Sequence, residues 1–218
     1  MAGRPIDANP RKLPRQSRSR ATVEAVITAA AQVLIEEGYE GATTARIAER
    51  AGVSIGSLYQ YFPNKEALIA SLIERHCEEI VATMRQALED PAHATLEDGF
   101  RAVIRAGTTA HRLDPRLHKI LNEQVPRVGK LARVMDTSRQ ITAAIERFLR
   151  AHAAELAAGR DPAVAAIVIE TSIEALAHKA VIHRRDLLAN GLIERETLRL
   201  ITGYVSRSAD RGASVRGR

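Results

Sequence analysis

The stretch Thr44–Leu68, TARIAERAGVSIGSLYQYFPNKEAL, limits the fold more than any other part of this chain. Two helix breakers stand close together in it, Gly52 and the Phe62-Pro63 pair. A residue before proline avoids the α region, and glycine accepts the positive φ of a tight turn. The helical pattern must therefore be cut into two short helices, one from Thr43 or Thr44 to Ala51 and one from about Ser54 to Tyr61. Asn64 then caps a long helix over about 65–88, with Glu66 well placed in its first turn. Ala48 is small enough for the two short helices to cross closely, and Ile47, Val53 and Leu58 supply an apolar lock between them. The second helix is left to present Ile55, Gly56, Ser57, Gln60 and Tyr61 outward. A short helix exposed in this way fits the major groove of DNA.

The chemistry gathers around the same segment. The chain has four tyrosines, three phenylalanines and no tryptophan, yet Tyr59, Tyr61 and Phe62 fall almost side by side. A core spreads its rings, whereas a gripping surface collects them. Tyrosine hydroxyls can donate to phosphate oxygens while their rings pack on sugar or protein. Tyr59 and Tyr61 flank the helix, and Phe62 reads as core. Lys65 stands in the first turn of its helix, where a cation opposes the dipole by about 0.3–1 kcal/mol. A phosphate held jointly by the lysine and the free helix N–H groups would offset that. The Thr43 and Thr44 hydroxyls, at the start of the first short helix, make a second phosphate site, with Arg46 in reach.

The remaining sequence also reads as helix. Val23, Val26, Ile27, Ala30, Val33 and Leu34 recur at helical spacing over 18–37, and Gly38 is the expected stop. Further helices are predicted near 96–112, 115–124, 127–157, 162–189 and 194–208, each bounded by turn or cap residues. No strand alternation is seen, so the fold class is all-α. With 218 residues, 45% of them hydrophobic, the chain can bury a proper core. Its net charge of +6 lies at the ends: residues 1–20 carry +5 and residues 207–218 carry +3, leaving −2 between them. A basic arm ahead of a folded domain reads as a polyanion contact, nucleic acid before an anionic membrane. Cys77 is the sole cysteine, which excludes an intrachain disulfide. No apolar run reaches the roughly 20 residues of a membrane span, and no apolar stretch follows the basic start. The expected location is the cytoplasm.

The run TTARIAERAGVSIGSLYQYFPNKEALI resembles the DNA-binding domain of the tetracycline-repressor (TetR) family. The threonine-started helix, the AGVS turn, the LYxYFxNKxxL block and the long helix after it carry the likeness, over about residues 18–70. The resemblance implies a homodimeric, all-helical transcriptional regulator, usually a repressor. Such a protein binds a near-palindromic operator in double-stranded DNA and leaves it when a small-molecule effector enters the C-terminal domain. The domains are then a disordered basic arm (1–16), a three-helix helix-turn-helix domain (17–65), a larger helical ligand-binding and dimerisation domain (66–208) and a disordered basic tail (209–218). By position, Thr44, Ser57, Tyr59, Tyr61 and Lys65 become phosphate contacts, and Ile55, Gly56 and Gln60 fall near base edges. Ile55 and Gly56 offer no side-chain hydrogen bonds. Specificity then falls to Gln60, Ser57, thymine-methyl contacts or DNA shape.

The larger domain has two expected tasks. Ala163–Ile182 is apolar on more than one face, and Leu198, Ile201 and Val205 stripe the last helix. Two such helices from each chain would build a two-fold four-helix interface. Ligand sensing calls for an apolar pocket with a few polar anchors. Phe100, Ile104, Leu121, Met135, Ile145 and Phe148 are the apolar candidates on inward stripes, and His111, Gln124, Thr142 and His178 the polar ones. The seven histidines are scattered without metal-ligand spacing, so no metal and no cofactor are expected. An enzyme using His111, His118 and Glu123 lacks any recognisable nucleophile–base spacing. The alternative within DNA binding is a constitutive or architectural protein without an effector.

Overall fold

The computed structural model describes residues 17–113, 115–123, 125 and 130–206. The N-terminal arm (1–16), the tail (209–218) and Gln124 lie outside them. The described helices are α1 (Ser17–Gly41), α2 (Thr44–Arg50), α3 (Ile55–Tyr61), α4 (Lys65–Glu89), α5 (Leu96–Leu113), α6 (Pro115–Glu123), α7 (Lys130–Ala151), α8 (Pro162–His183), α9 (Arg185–Ala189) and α10 (Leu192–Val205). A single 3-10 turn, Ala153–Glu155, follows α7. Among the described residues the regular structure is all helical; the one β feature is an isolated bridge, Leu156 to Ser206.

By packing, the chain forms two compact units, Met1–Ile80 with Asp114–Thr137, and Val81–Leu113 with Ser138–Arg218. In the first, α1 turns Val26, Ala30, Val33 and Leu34 inward against Ile47 and Ala48 of α2, Leu58 of α3, Phe62, and Leu68 and Leu72 of α4. Each of these side chains is almost wholly buried. The core is completed from far along the chain: Leu117, Ile120 and Leu121 of α6 join the same cluster, and α6 lies on α1. The expected boundary at 65–66 thus differs from the packing, which carries the first unit to Ile80 and returns to it for α6. Leu121, a sequence candidate for a ligand pocket, belongs to this core.

The second unit packs α5, α8 and α10 on one another. Phe100, Val103 and Ile104 of α5, Ile145 and Leu149 of α7, and Ala165, Ile169 and Ile173 of α8 are buried in it. Gly99 sets one close approach. A Cβ there would lie 2.1 Å from the tip of the Phe148 ring. Phe148 in turn meets Phe100 edge-on, with ring centroids 6.0 Å apart.

Several helix ends differ from expectation. α1 does not stop at Gly38 but kinks there, with φ 72, and runs on to Gly41. The helix expected over 127–157 ends at Ala151, where His152 leaves the helical region and its ring bonds the Phe148 carbonyl at 3.0 Å. The helix expected over 162–189 is cut at Arg184, whose guanidinium pairs with Asp186 at 2.8 and 3.0 Å. The last helix begins two residues early, because the Asn190 side chain takes up the Leu192 N–H at 3.0 Å.

Candidate nucleic-acid interface

The helix-turn-helix is built by local chemistry. Thr43 caps α2, its hydroxyl accepting the Arg46 N–H at 3.3 Å. Gly52 turns the chain at φ 65, and the Val53 N–H then closes onto the Ala48 carbonyl at 3.0 Å. Ser54 caps α3 by accepting the Ser57 N–H at 3.1 Å, and the two serine hydroxyls sit 2.8 Å apart. Phe62 is extended before Pro63, which ends α3. The Asn64 side chain then accepts the Ala67 N–H at 2.7 Å and starts α4. Ile47, Ala48, Leu58 and Phe62 are buried as the pattern required, with Val53 packed against them.

Of the five residues expected to face outward, α3 exposes Ile55, Gly56 and Gln60. Ile55 is 43% and Tyr59 41% exposed, and Gly56 and Gln60 are exposed beside them. Ser57 is half-buried, and Tyr61 is half-buried against the core. The Tyr59 hydroxyl lies 3.0 Å from the Thr44 hydroxyl, which ties the start of α2 to the exposed side of α3. Two of the expected phosphate ligands are therefore neighbours. A hydroxyl pair of this kind holds one proton internally and keeps the second for an incoming acceptor.

The cations of this segment have partners within the protein. Lys65 is half-buried. Its ammonium donates to the Tyr39 carbonyl at 2.9 Å and sits 4.0 Å from the centre of the Tyr39 ring. Arg46 is held between Glu37 and Glu49 at 2.9 and 2.8 Å, and Arg50 grips Glu36 with two bonds of 2.8 and 2.5 Å. The Arg50 guanidinium holds the Glu36 carboxyl below the usual carboxylate range, while the Glu37 carboxylate raises Arg46. α1 thus supplies Glu36 and Glu37 as counter-charges of α2, and Glu49 adds one from within α2. Tyr39 and the three glutamates were not singled out from sequence. Their only advance signal was spacing, along α1 for Glu36, Glu37 and Tyr39 and along α2 for Glu49, which does not say which cation each will meet.

The candidate ligand residues fall in different surroundings. Phe100, Ile104 and Ile145 are core residues of the second unit, and Thr142 and His178 are half-buried. Met135, expected on an inward stripe, is instead 58% exposed and belongs to the first unit. The His111 side chain and Gln124 lie outside the described residues. Among the described residues no three His, Cys, Asp or Glu are placed to hold a metal ion, and no helix is long and apolar enough to cross a membrane.

Comparison with known proteins matches this geometry. Residues 26–72 fit the family model for bacterial regulatory proteins of the tetR family, and residues 95–204 fit the tetracyclin repressor-like C-terminal domain. The chain is 39% identical to the transcriptional activator FasR of Mycolicibacterium smegmatis over 87 residues, 39% of this chain and 38% of that protein. It is 31% identical to the transcriptional repressor BepR of Brucella suis over 133 residues, 58% of this chain and 63% of that protein. It spans less than two thirds of either relative. Among solved structures it resembles SmeT, repressor of the multidrug efflux pump SmeDEF of Stenotrophomonas maltophilia. That match has a TM-score of 0.68 and 22% identity, and covers 88% of this chain and 93% of that one. FadR of Bacillus subtilis, solved with stearoyl-CoA, matches with a TM-score of 0.66 and 22% identity, over 82% of this chain and 96% of that one. The named relatives are regulators, not enzymes. With a helix-turn-helix that presents α3 outward and a family model over half of its length, the chain belongs to the TetR family of bacterial, DNA-binding transcriptional regulators.

Proposed function

We propose that the chain is a repressor that binds a near-palindromic operator as a homodimer, in the cytoplasm, and is released by a small molecule bound in its larger domain. The observation that carries the DNA reading is the Thr44–Tyr59 hydroxyl pair beside the Thr43-capped start of α2, with Ile55, Gly56 and Gln60 exposed on α3. The hydroxyls and free N–H groups suit a phosphate, and the exposed residues suit base edges. Thr43 and Ser57 add backbone contacts, and Tyr61 lends the edge of a half-buried ring. Lys65 keeps one ammonium N–H for a phosphate after serving the Tyr39 carbonyl and ring. Arg46 reaches DNA only by leaving Glu37 or Glu49.

Dimerisation is supported by α8 and α10. Val164, Ile167 and Val168 on α8 and Leu200 on α10 are large apolar residues left exposed in the single chain. Ligand release is supported by the fold, which is shared with a protein solved with stearoyl-CoA. Phe100, Ile104, Thr142, Ile145 and His178 are its candidate contacts in the second unit.

Fluorescence anisotropy on the promoter next to the protein's own gene tests the grip. Affinity should fall steeply with salt, and Tyr59→Phe with Lys65→Ala should weaken binding to all sequences alike and lower the salt slope by about one. Tight binding that ignores salt, or an unaffected double variant, would refute the contact map. A thermal-shift screen separates the effector-free alternative, because an effector raises the melting temperature by mass action.

A further inference from the structure

The second unit holds a half-open cleft of about 320 Å3 that shares no residue with the DNA-reading or proposed dimer surfaces. Its floor is apolar: Leu88 from α4, and Ala144, Phe148 and Ala151 from α7. Its rim is polar: Glu89, Asp90, His93, Arg147 and His152. The volume is at the small end of ligand sites.

Three features give the cleft one electrical sign. Two helices end at it, α4 at Glu89 and α7 at Ala151, and each C-terminus carries about half a negative charge. The imidazoles are fixed by the carbonyls of those same last turns, His93 Nε2 donating to Ala87 at 2.7 Å and His152 Nδ1 to Phe148 at 3.0 Å. The rim then holds two carboxylates against one cation, Arg147, which is drawn towards Glu89 at 3.9 Å. Below them lies an aromatic surface, the Phe148 ring, with the His152 ring 4.4 Å from it. That ring cannot retreat freely, because Gly99 and Phe100 back it.

We propose that this cleft binds a small organic cation with an apolar body, one per chain, of the aryl- or alkylammonium class. The acceptor-rich rim and helix ends hold the charge, and the Phe148 face and alanines hold the body. A hydrated metal ion would leave the apolar floor unused, and the rim does not form a three-ligand set. The inference stands apart from the DNA reading, since it uses none of the same side chains.

Isothermal titration of the full chain with benzyltrimethylammonium tests it, with benzenesulfonate as the anion of similar size. Ala151 is exposed, so Ala151→Trp fills the cleft without touching the core. The cation should bind with a 1:1 ratio, and Ala151→Trp should abolish the heat. Asp90→Asn, which keeps the acceptor for the Ala92 N–H, should weaken binding by about three- to tenfold, the size of one charge at this range in a high-dielectric cleft. Arg147→Ala should strengthen it by a similar factor. No heat at millimolar cation, unchanged binding in Ala151→Trp, tighter binding of the sulfonate, or weaker cation binding in Arg147→Ala would each overturn the proposal. Operator anisotropy on the same variants, without the cation, reports separately on the DNA reading and should match the unmodified chain.

Discussion

Lys65 illustrates how one side chain settles an electrostatic question. Its charge is unfavourable in the first turn of α4, and a phosphate was the partner expected from sequence. The protein provides its own, the Tyr39 carbonyl and ring. Lys65→Met should therefore destabilise the chain by about 1–2 kcal/mol in urea melts even without DNA. A double-mutant cycle with Tyr39→Leu, which removes the ring and keeps the carbonyl, should return a coupling of about 0.5–1 kcal/mol. Gly52 makes the opposite case. Nothing lies within 4 Å of its missing Cβ, so the penalty of Gly52→Ala comes from the backbone at φ 65 alone, about 1 kcal/mol. Glu170 of α8 sets a pH dependence. Burial raises its carboxyl above the ordinary value, against smaller lowering effects of the Ser138 and Thr171 hydroxyls. A raised carboxyl binds its proton more tightly folded than unfolded, so stability from this group grows as pH falls through the raised folded value and levels off below the unfolded one. Glu170→Gln should be the more stable form at neutral pH, and thermal melts should converge with the unmodified chain in acid.

At the level of elements, Gly99 of α5 makes a close approach to the Phe148 ring of α7. Gly99→Ala should cost about 1–3 kcal/mol, because the aromatic ring beneath it has to move. Phe148→Leu in the same chain should restore part of the loss, and denaturant midpoints measure both. Elements punctuated by local chemistry were readable from the sequence: Gly52, Pro63 and Asn64 fix α2, α3 and the start of α4 within a residue or two. The breaks at His152 and Arg184 were not, since neither carries glycine or proline and both rest on side-chain bonds formed after the chain has turned. The seat of α6 on α1 depends on apolar contacts across nearly a hundred residues, which periodicity cannot place. The candidate site divides in the same way. Its exposed face on α3 follows from helical spacing, whereas the partners of Lys65 and the Glu37 partner of Arg46 come from another helix. An aliphatic stripe predicts burial, as for Phe100, Ile104 and Ile145, and Met135 departs from it by lying exposed.

For the whole molecule, the exposed apolar residues of α8 and α10 make a direct prediction. Ile167 is 56% exposed, so Ile167→Glu should leave the fold of the single chain intact. Sedimentation should then find a monomer, with operator affinity reduced at least tenfold because one reading helix is lost from each encounter. Truncation at residue 80 should instead yield an aggregation-prone fragment, since it strips Leu117, Ile120 and Leu121 from the core. The covalent path between the units sharpens this point. The chain crosses from one unit to the other three times, after Ile80, after Leu113 and after Thr137. Anyone building a chimera by exchanging reading heads between relatives must therefore transplant α6 together with α1 to α4. A graft joined at residue 65 would leave the donor's share of that core facing a stranger's α4 and α6.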